Sequence, residues 1–118
     1  MATKINSKIE DKFTFKGGSI ASNNVSVSTS KLWYYYINKI MYVVVDAIYS
    51  LLANTETSIY TLPAEHLYPQ YGFKYTLASI VDNNINVEFP GDSAIKFICN
   101  RDLTSLQMYG VISYISKG

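Results

Sequence analysis

The sequence predicts an all-β fold, either an antiparallel β-sandwich or a jelly-roll-like barrel of about seven or eight short strands. Three observations carry that reading. Eleven tyrosines, five phenylalanines and many Val, Ile and Thr favour a pleated surface over a helix. Turn signals recur roughly every eight to twelve residues, too often for βαβ units. Alanine and leucine are too scattered to build long helices, and 118 residues suffice for one domain with a real core.

The elements follow in order. Phe13 and Phe15 alternate as a short strand that Gly17-Gly18 is expected to break. Val25-Ser26-Val27-Ser28 alternates as a second strand. Leu32 to Ile37 and the run from Ile40 to Tyr49 read as a hairpin turning at Asn38-Lys39, where asparagine tolerates positive φ. In its second arm, Met41, Val43, Val45, Ala47 and Tyr49 point one way. Ile40, Tyr42, Val44, Asp46 and Ile48 point the other. Both faces are apolar, so the strand must be covered twice: by the second sheet, and by either a symmetry mate or the chain's own loops.

Ile59 to Leu62 is a strand that Pro63 must end, because proline fixes φ, lacks a ladder donor and pushes its predecessor to extended geometry. The loop beyond, closed by Pro69, holds the single histidine, His66. Phe73 to Val81 is the next strand, ending at Asp82-Asn83-Asn84, whose first role is turn chemistry. Ile85, Val87 and Phe89 alternate with Asn86 and Glu88 as a strand with one wet face. Pro90-Gly91-Asp92 turns the chain into Ile95 to Cys99. Asp102 to Met108 is expected to form at most a helical turn with Asp102 as N-cap. Gly110 to Ile115 closes the domain.

Several function classes drop out. A net charge of +1 with dispersed lysines provides no basic stripe for nucleic acid. Cys99 is the only cysteine, so neither an intrachain disulfide nor a cysteine cluster can form, and its apolar run marks it as core. With one histidine and scattered carboxylates, no metal and no cofactor is expected. The N-terminus lacks the apolar stretch of a signal peptide and no run reaches membrane-spanning length, so no membrane insertion is expected and synthesis is placed in a cytoplasm. No Gly-x-Ser-x-Gly elbow and no P-loop occurs, and no carboxylate pair stands out, so no enzyme is expected.

From about Trp33 to Ile115 the chain resembles the β-sandwich tip or head domains of bacteriophage fibre and receptor-binding proteins. The resemblance runs through Tyr36-Ile37-Asn38-Lys39-Ile40-Met41-Tyr42-Val43, then Ile59-Tyr60-Thr61-Leu62-Pro63 and Tyr68-Pro69. It continues in Ile85-Asn86-Val87, Ala94-Ile95-Lys96-Phe97 and Tyr109 to Ile115. The chain departs from the family at the hairpin, where Ile37-Asn38 replaces a common Gly-Asn.

The resemblance implies a virion protein, homotrimeric, presenting loops to host cell-surface polysaccharide. On that reading residues 1–24 are an N-terminal arm docking onto other virion proteins, and residues 25–118 are the tip domain. The saccharide candidates are His66, Tyr68 and Tyr71 in the proline loop, the Arg101-Asp102 pair, and Asn83. Trp33, Tyr35, Tyr42 and Val44 are the candidates for the interface between subunits. The alternative is a purely structural fibre or decoration subunit of capsid or tail, making only protein contacts.

Overall fold

A computed structural model describes residues 15–78 and 84–118. Eight strands are present: β1 (Phe15–Ile20), β2 (Leu32–Ile37), β3 (Ile40–Leu51), β4 (Thr57–Thr61), β5 (Phe73–Ala78), β6 (Asn84–Phe89), β7 (Ala94–Cys99) and β8 (Leu103–Ile115). They form two four-stranded antiparallel sheets, in the orders β1-β2-β3-β8 and β4-β7-β6-β5. The two separate sheets decide for the sandwich over the closed barrel. A single 3₁₀ turn, Glu65–Leu67, lies in the proline loop.

The hairpin turn forms where expected. Asn38 (φ 49°) and Lys39 (φ 66°) both take the left-handed region, which matches the twist of the flanking strands even without glycine. β3 then pairs with β8 from Ile40↔Ile115 to Leu51↔Leu103, the longest ladder of the molecule. β4 ends at Thr61, one residue before Leu62, and Pro63 lies outside the sheet.

Four sequence expectations are corrected. Gly17-Gly18 does not break β1, which pairs with β2 throughout. Gly18 instead makes room for an aromatic neighbour, since a Cβ there would lie 2.8 Å from the Tyr34 hydroxyl. Residues 25–28 are not a strand, because the Asn24 carbonyl accepts from the amides of Val27 and Ser28 (3.1 Å each) and closes a turn. Asp102 does not cap a helical turn: its Oδ1 accepts from the Ala53 amide at 2.8 Å, and the following residues enter β8. A kink at Ser105 (φ 48°), whose amide donates to Ser50 Oγ, accommodates the irregular start of that strand.

The fourth correction concerns the boundary at residue 24. β1 belongs to the first sheet, and the stretch after it crosses to the second, with Ser22 bridged to Tyr60 and the Asn23 amide donating to the Ile59 carbonyl. Residues 15–24 are therefore part of the sandwich. Phe13 and the expected extension of β5 to Val81 lie outside the described residues.

Between the sheets the core is aromatic. Tyr49 of β3 packs on Phe97 of β7 (centroids 4.9 Å apart) and on Tyr60 of β4, and all three are fully buried. The two tyrosine hydroxyls lie 2.9 Å apart and Tyr60 donates on to the Ser30 carbonyl, which keeps both polar tips satisfied. A second cluster stacks Phe73 on Phe89 (4.8 Å), with Tyr114 tilted against both. Cys99 is buried as expected, and burial pushes its thiol up from the usual range.

Burial likewise holds the hydroxyls of Tyr49, Tyr60 and Tyr114 above the ordinary phenol range. In the unfolded chain they ionise near pH 10, so above that pH the folded state retains protons that the unfolded state has lost. Stability is thus fully present below about pH 10 and is lost as the pH rises, by up to about 1.4 kcal/mol per pH unit for each tyrosine. Urea midpoints between pH 8 and 11 should fall steeply, and Tyr49→Phe should flatten the fall. A midpoint independent of pH would contradict this assignment.

Gly72 fixes the approach of β5 to the β6–β7 turn. A Cβ at this position would lie 2.7 Å from the Pro90 carbonyl oxygen, a backbone atom that cannot swing away. Gly72→Ala is expected to cost about 1–3 kcal/mol, read as a lower urea midpoint; an unchanged midpoint would show that the contact relaxes freely.

Candidate functional site

The outward faces of the two sheets differ in kind. On the second, Lys74 and Glu88 pair across β5–β6 (3.7 Å), Lys96 reaches Glu56 (3.1 Å), and Thr76 donates to Asn86 (3.0 Å). This face is charged and wet. On the first, three cross-strand rows line up: Trp33, Val44 and Val111; Tyr35, Tyr42 and Ser113; Ile37, Ile40 and Ile115. None of these carries a charge. Trp33 is 56% exposed, Val111 53% and Ile115 61%, and Tyr35, Ile37, Tyr42, Val44 and Val111 surround a shallow hollow of about 360 Å³.

The sequence-predicted interface set, Trp33, Tyr35, Tyr42 and Val44, therefore falls on one contiguous face. Strand alternation places it there: the neighbours Tyr34, Met41, Val43 and Val45 turn inward to the core. Gly17 of β1 keeps the face flat beside Tyr35, whose ring lies 3.3 Å from where a Cβ would stand. Trp33, Val111 and Ile115 stay largely exposed, so the described loops do not close over them. Contiguous apolar surface of this kind marks an interaction site in soluble proteins.

The ends of the sandwich form two poles. The first holds the Asn38-Lys39 turn, the proline loop and the end of β8. The second holds the connections β3–β4 and β7–β8 and the loop before β2. β3 runs twelve residues between them, roughly 35–40 Å of strand at about 3.3 Å per residue.

The predicted saccharide residues are divided between these poles. His66, Tyr68 and Tyr71 lie at the first, Arg101 and Asp102 at the second, and Asn83 lies outside the described residues. His66 is exposed and meets the Tyr36 ring edge to face (5.4 Å). Tyr68 is not a free loop ring but part of the packing. It is half-buried against the core, its carbonyl accepts from the Lys117 amide (2.8 Å), and the Lys117 ammonium stands 5.7 Å from its ring centre. The Tyr114 hydroxyl donates to the Leu67 carbonyl (2.6 Å), pinning the same loop to β8. Tyr71, 78% exposed, is the ring of this set that stands in solvent.

At the second pole, a cleft that sequence reasoning missed opens between the sheets, with a volume of about 470 Å³. Its lining combines Asn24, Ser26, Ser50, Thr55, Thr57 and Thr104 with Val27, Leu51, Leu52 and Leu103. The residues come from four separate stretches. Nothing in the sequence marks them beyond a high content of Ser, Thr and Asn, which reads equally as loop composition. Among the described residues, no three His, Cys, Asp or Glu side chains gather as a metal-binding group.

No family model matches the chain, and no curated protein matches its sequence. Among solved structures it is similar to the receptor binding protein (gp15) of Listeria phage PSA. The likeness covers 99% of this chain and 74% of that one, at 19% identity and a TM-score of 0.68. The chain thus shares the fold of that phage protein.

Proposed function

We infer that the chain is a bacteriophage attachment protein: a non-enzymatic virion subunit that assembles as a homotrimer and binds saccharides on the bacterial surface. The observation that carries this reading is the fold likeness to a phage receptor binding protein across 99% of the chain. The contrast between the two outer faces supports self-association. The three uncharged rows of the first sheet can meet copies of themselves around an axis without stranding an ion, the Asp46 carboxylate of the next row being held by Gln107 (2.8 Å), whereas the Lys/Glu-laced face of the second sheet is suited to water. Three copies also raise the avidity of a weak sugar site.

The test is an array of bacterial surface glycans probed with the fluorescently labelled protein. Binding to a discrete subset is expected. Silence across the array, with the protein folded and trimeric, would leave the purely structural fibre or decoration subunit as the better reading.

A further inference from the structure

Whatever precedes Phe15 joins the sandwich at the first pole, because Phe15 pairs with Ile37 beside the Asn38-Lys39 turn. The end of β8 returns to the same place, where the Ser116 amide donates to the Lys39 carbonyl (2.8 Å). A subunit held through either end presents its second pole outward. That pole carries the 470 Å³ cleft, a size within the range of small-molecule sites.

The lining of the cleft defines its ligand. Leu51 and Leu103 are buried at its floor and Val27 flanks them, so one side of a ligand meets hydrocarbon. The hydroxyls of Thr57 and Thr104 make no hydrogen bond to the described residues, and Ser50 Oγ accepts from the Ser105 amide with its own proton still to donate. No charged side chain lines the cleft. The nearby Asp102 carboxylate is already engaged by the Ala53 amide. A wholly apolar ligand would strand these hydroxyls, and an anion would be desolvated without a cation to pair it. A neutral sugar ring, with CH faces and a rim of hydroxyls, satisfies both halves.

Resting on the attachment reading above, we propose that this cleft holds a neutral saccharide unit of the host surface, and that the His66–Tyr71 loop at the opposite pole does not. The proposal assigns the outward pole to recognition and the pole of chain entry to assembly.

The experiment compares wild type, Thr104→Trp, Ser26→Trp and the double variant His66→Ala with Tyr71→Ala on the bacterial glycan array, with melting and sedimentation run on each. Thr104 and Ser26 stand on different walls, so the cleft can be filled from either side if one variant fails to fold. The expected result is wild-type binding to neutral glycans, a loss of tenfold or more in both folded cleft variants, and retention in the double variant. Amide shifts at Thr57 and Thr104 on adding millimolar methyl glycosides, but not glycerol phosphate, would agree. Wild-type binding that survives a filled cleft, or that is lost in the double variant alone, overturns the cleft and leaves the attachment reading standing. Binding confined to anionic glycans overturns neutrality. An array silent for wild type overturns both readings.

Discussion

Val44→Arg is expected to fold and to sediment as a monomer, in contrast to the trimer proposed for the wild-type protein. Val44 lies in one of the uncharged rows of this face, between Trp33 of β2 and Val111 of β8. In a trimer closed through this face, the substitution would bury one guanidinium per subunit, and the carboxylate two positions along the same face of β3, Asp46, is already bonded to Gln107 Nε2 (2.8 Å). Removing such a charge from water without a partner costs several kcal/mol, so the association constant should fall by about a thousandfold or more, about 4 kcal/mol. The fold itself should survive, since Val44 points away from the core and the arginine remains in water in the monomer. Two controls bracket the effect. Val44→Ile keeps the face apolar and should keep the trimer, and Lys74→Ala removes a charge from the opposite sheet and should change nothing. A trimer that persists in Val44→Arg would mean that this face is not the interface.

Phe97→Ala should have the largest effect on stability. Phe97 is fully buried and joins the sheets, because its ring contacts Tyr49 of the first sheet and Tyr60 of the second. Truncation removes the apolar contact and leaves a cavity beside two tyrosine hydroxyls bonded to each other, which restricts collapse into the space. The expected cost is about 3–5 kcal/mol, a large share of the roughly 5–15 kcal/mol that holds a domain together. The melting temperature should drop by about 10 °C or more. Ile98, next along β7, faces outward and is half-buried; Ile98→Ala should cost about 1 kcal/mol or less. Equal losses at the two positions would contradict the assignment of faces.

The strands legible in the sequence were those with a strong period of two and a chemically marked end. β6 alternates cleanly, β3 is a long β-branched and aromatic run, Asn38-Lys39 supplies a turn that tolerates positive φ, and Pro63 ends β4 by removing a donor. The misread segments were decided by tertiary pairing. Residues 103–108 have the composition of a helical turn, yet β3 presents an open edge along its whole length, and pairing with it outweighs local preference. Gly17-Gly18 reads as a break until Tyr34 is seen packed over it. The turn at 24–28 depends on Asn24 closing on its own neighbours, a contact that alternating Val and Ser conceals.

The functional surfaces were legible to unequal degrees. That Trp33, Tyr35, Tyr42 and Val44 share one side could be read, because strand alternation and the hairpin turn at Asn38-Lys39 place them there. The ligand set could not, because assembling it requires knowing which loops share a pole. Arg101 and His66 are both loop residues, but β3 and β8 hold them at opposite ends of the sandwich. The cleft is harder still, since it arises where the loop before β2 crosses from one sheet to the other.

Binding of the labelled wild-type protein to intact bacterial cells is the decisive measurement for attachment to surface saccharide. Cells of a subset of strains should be labelled, and mild periodate oxidation of their surface sugars should abolish the labelling. Labelling that survives periodate but is lost on protease treatment of the cells would contradict it.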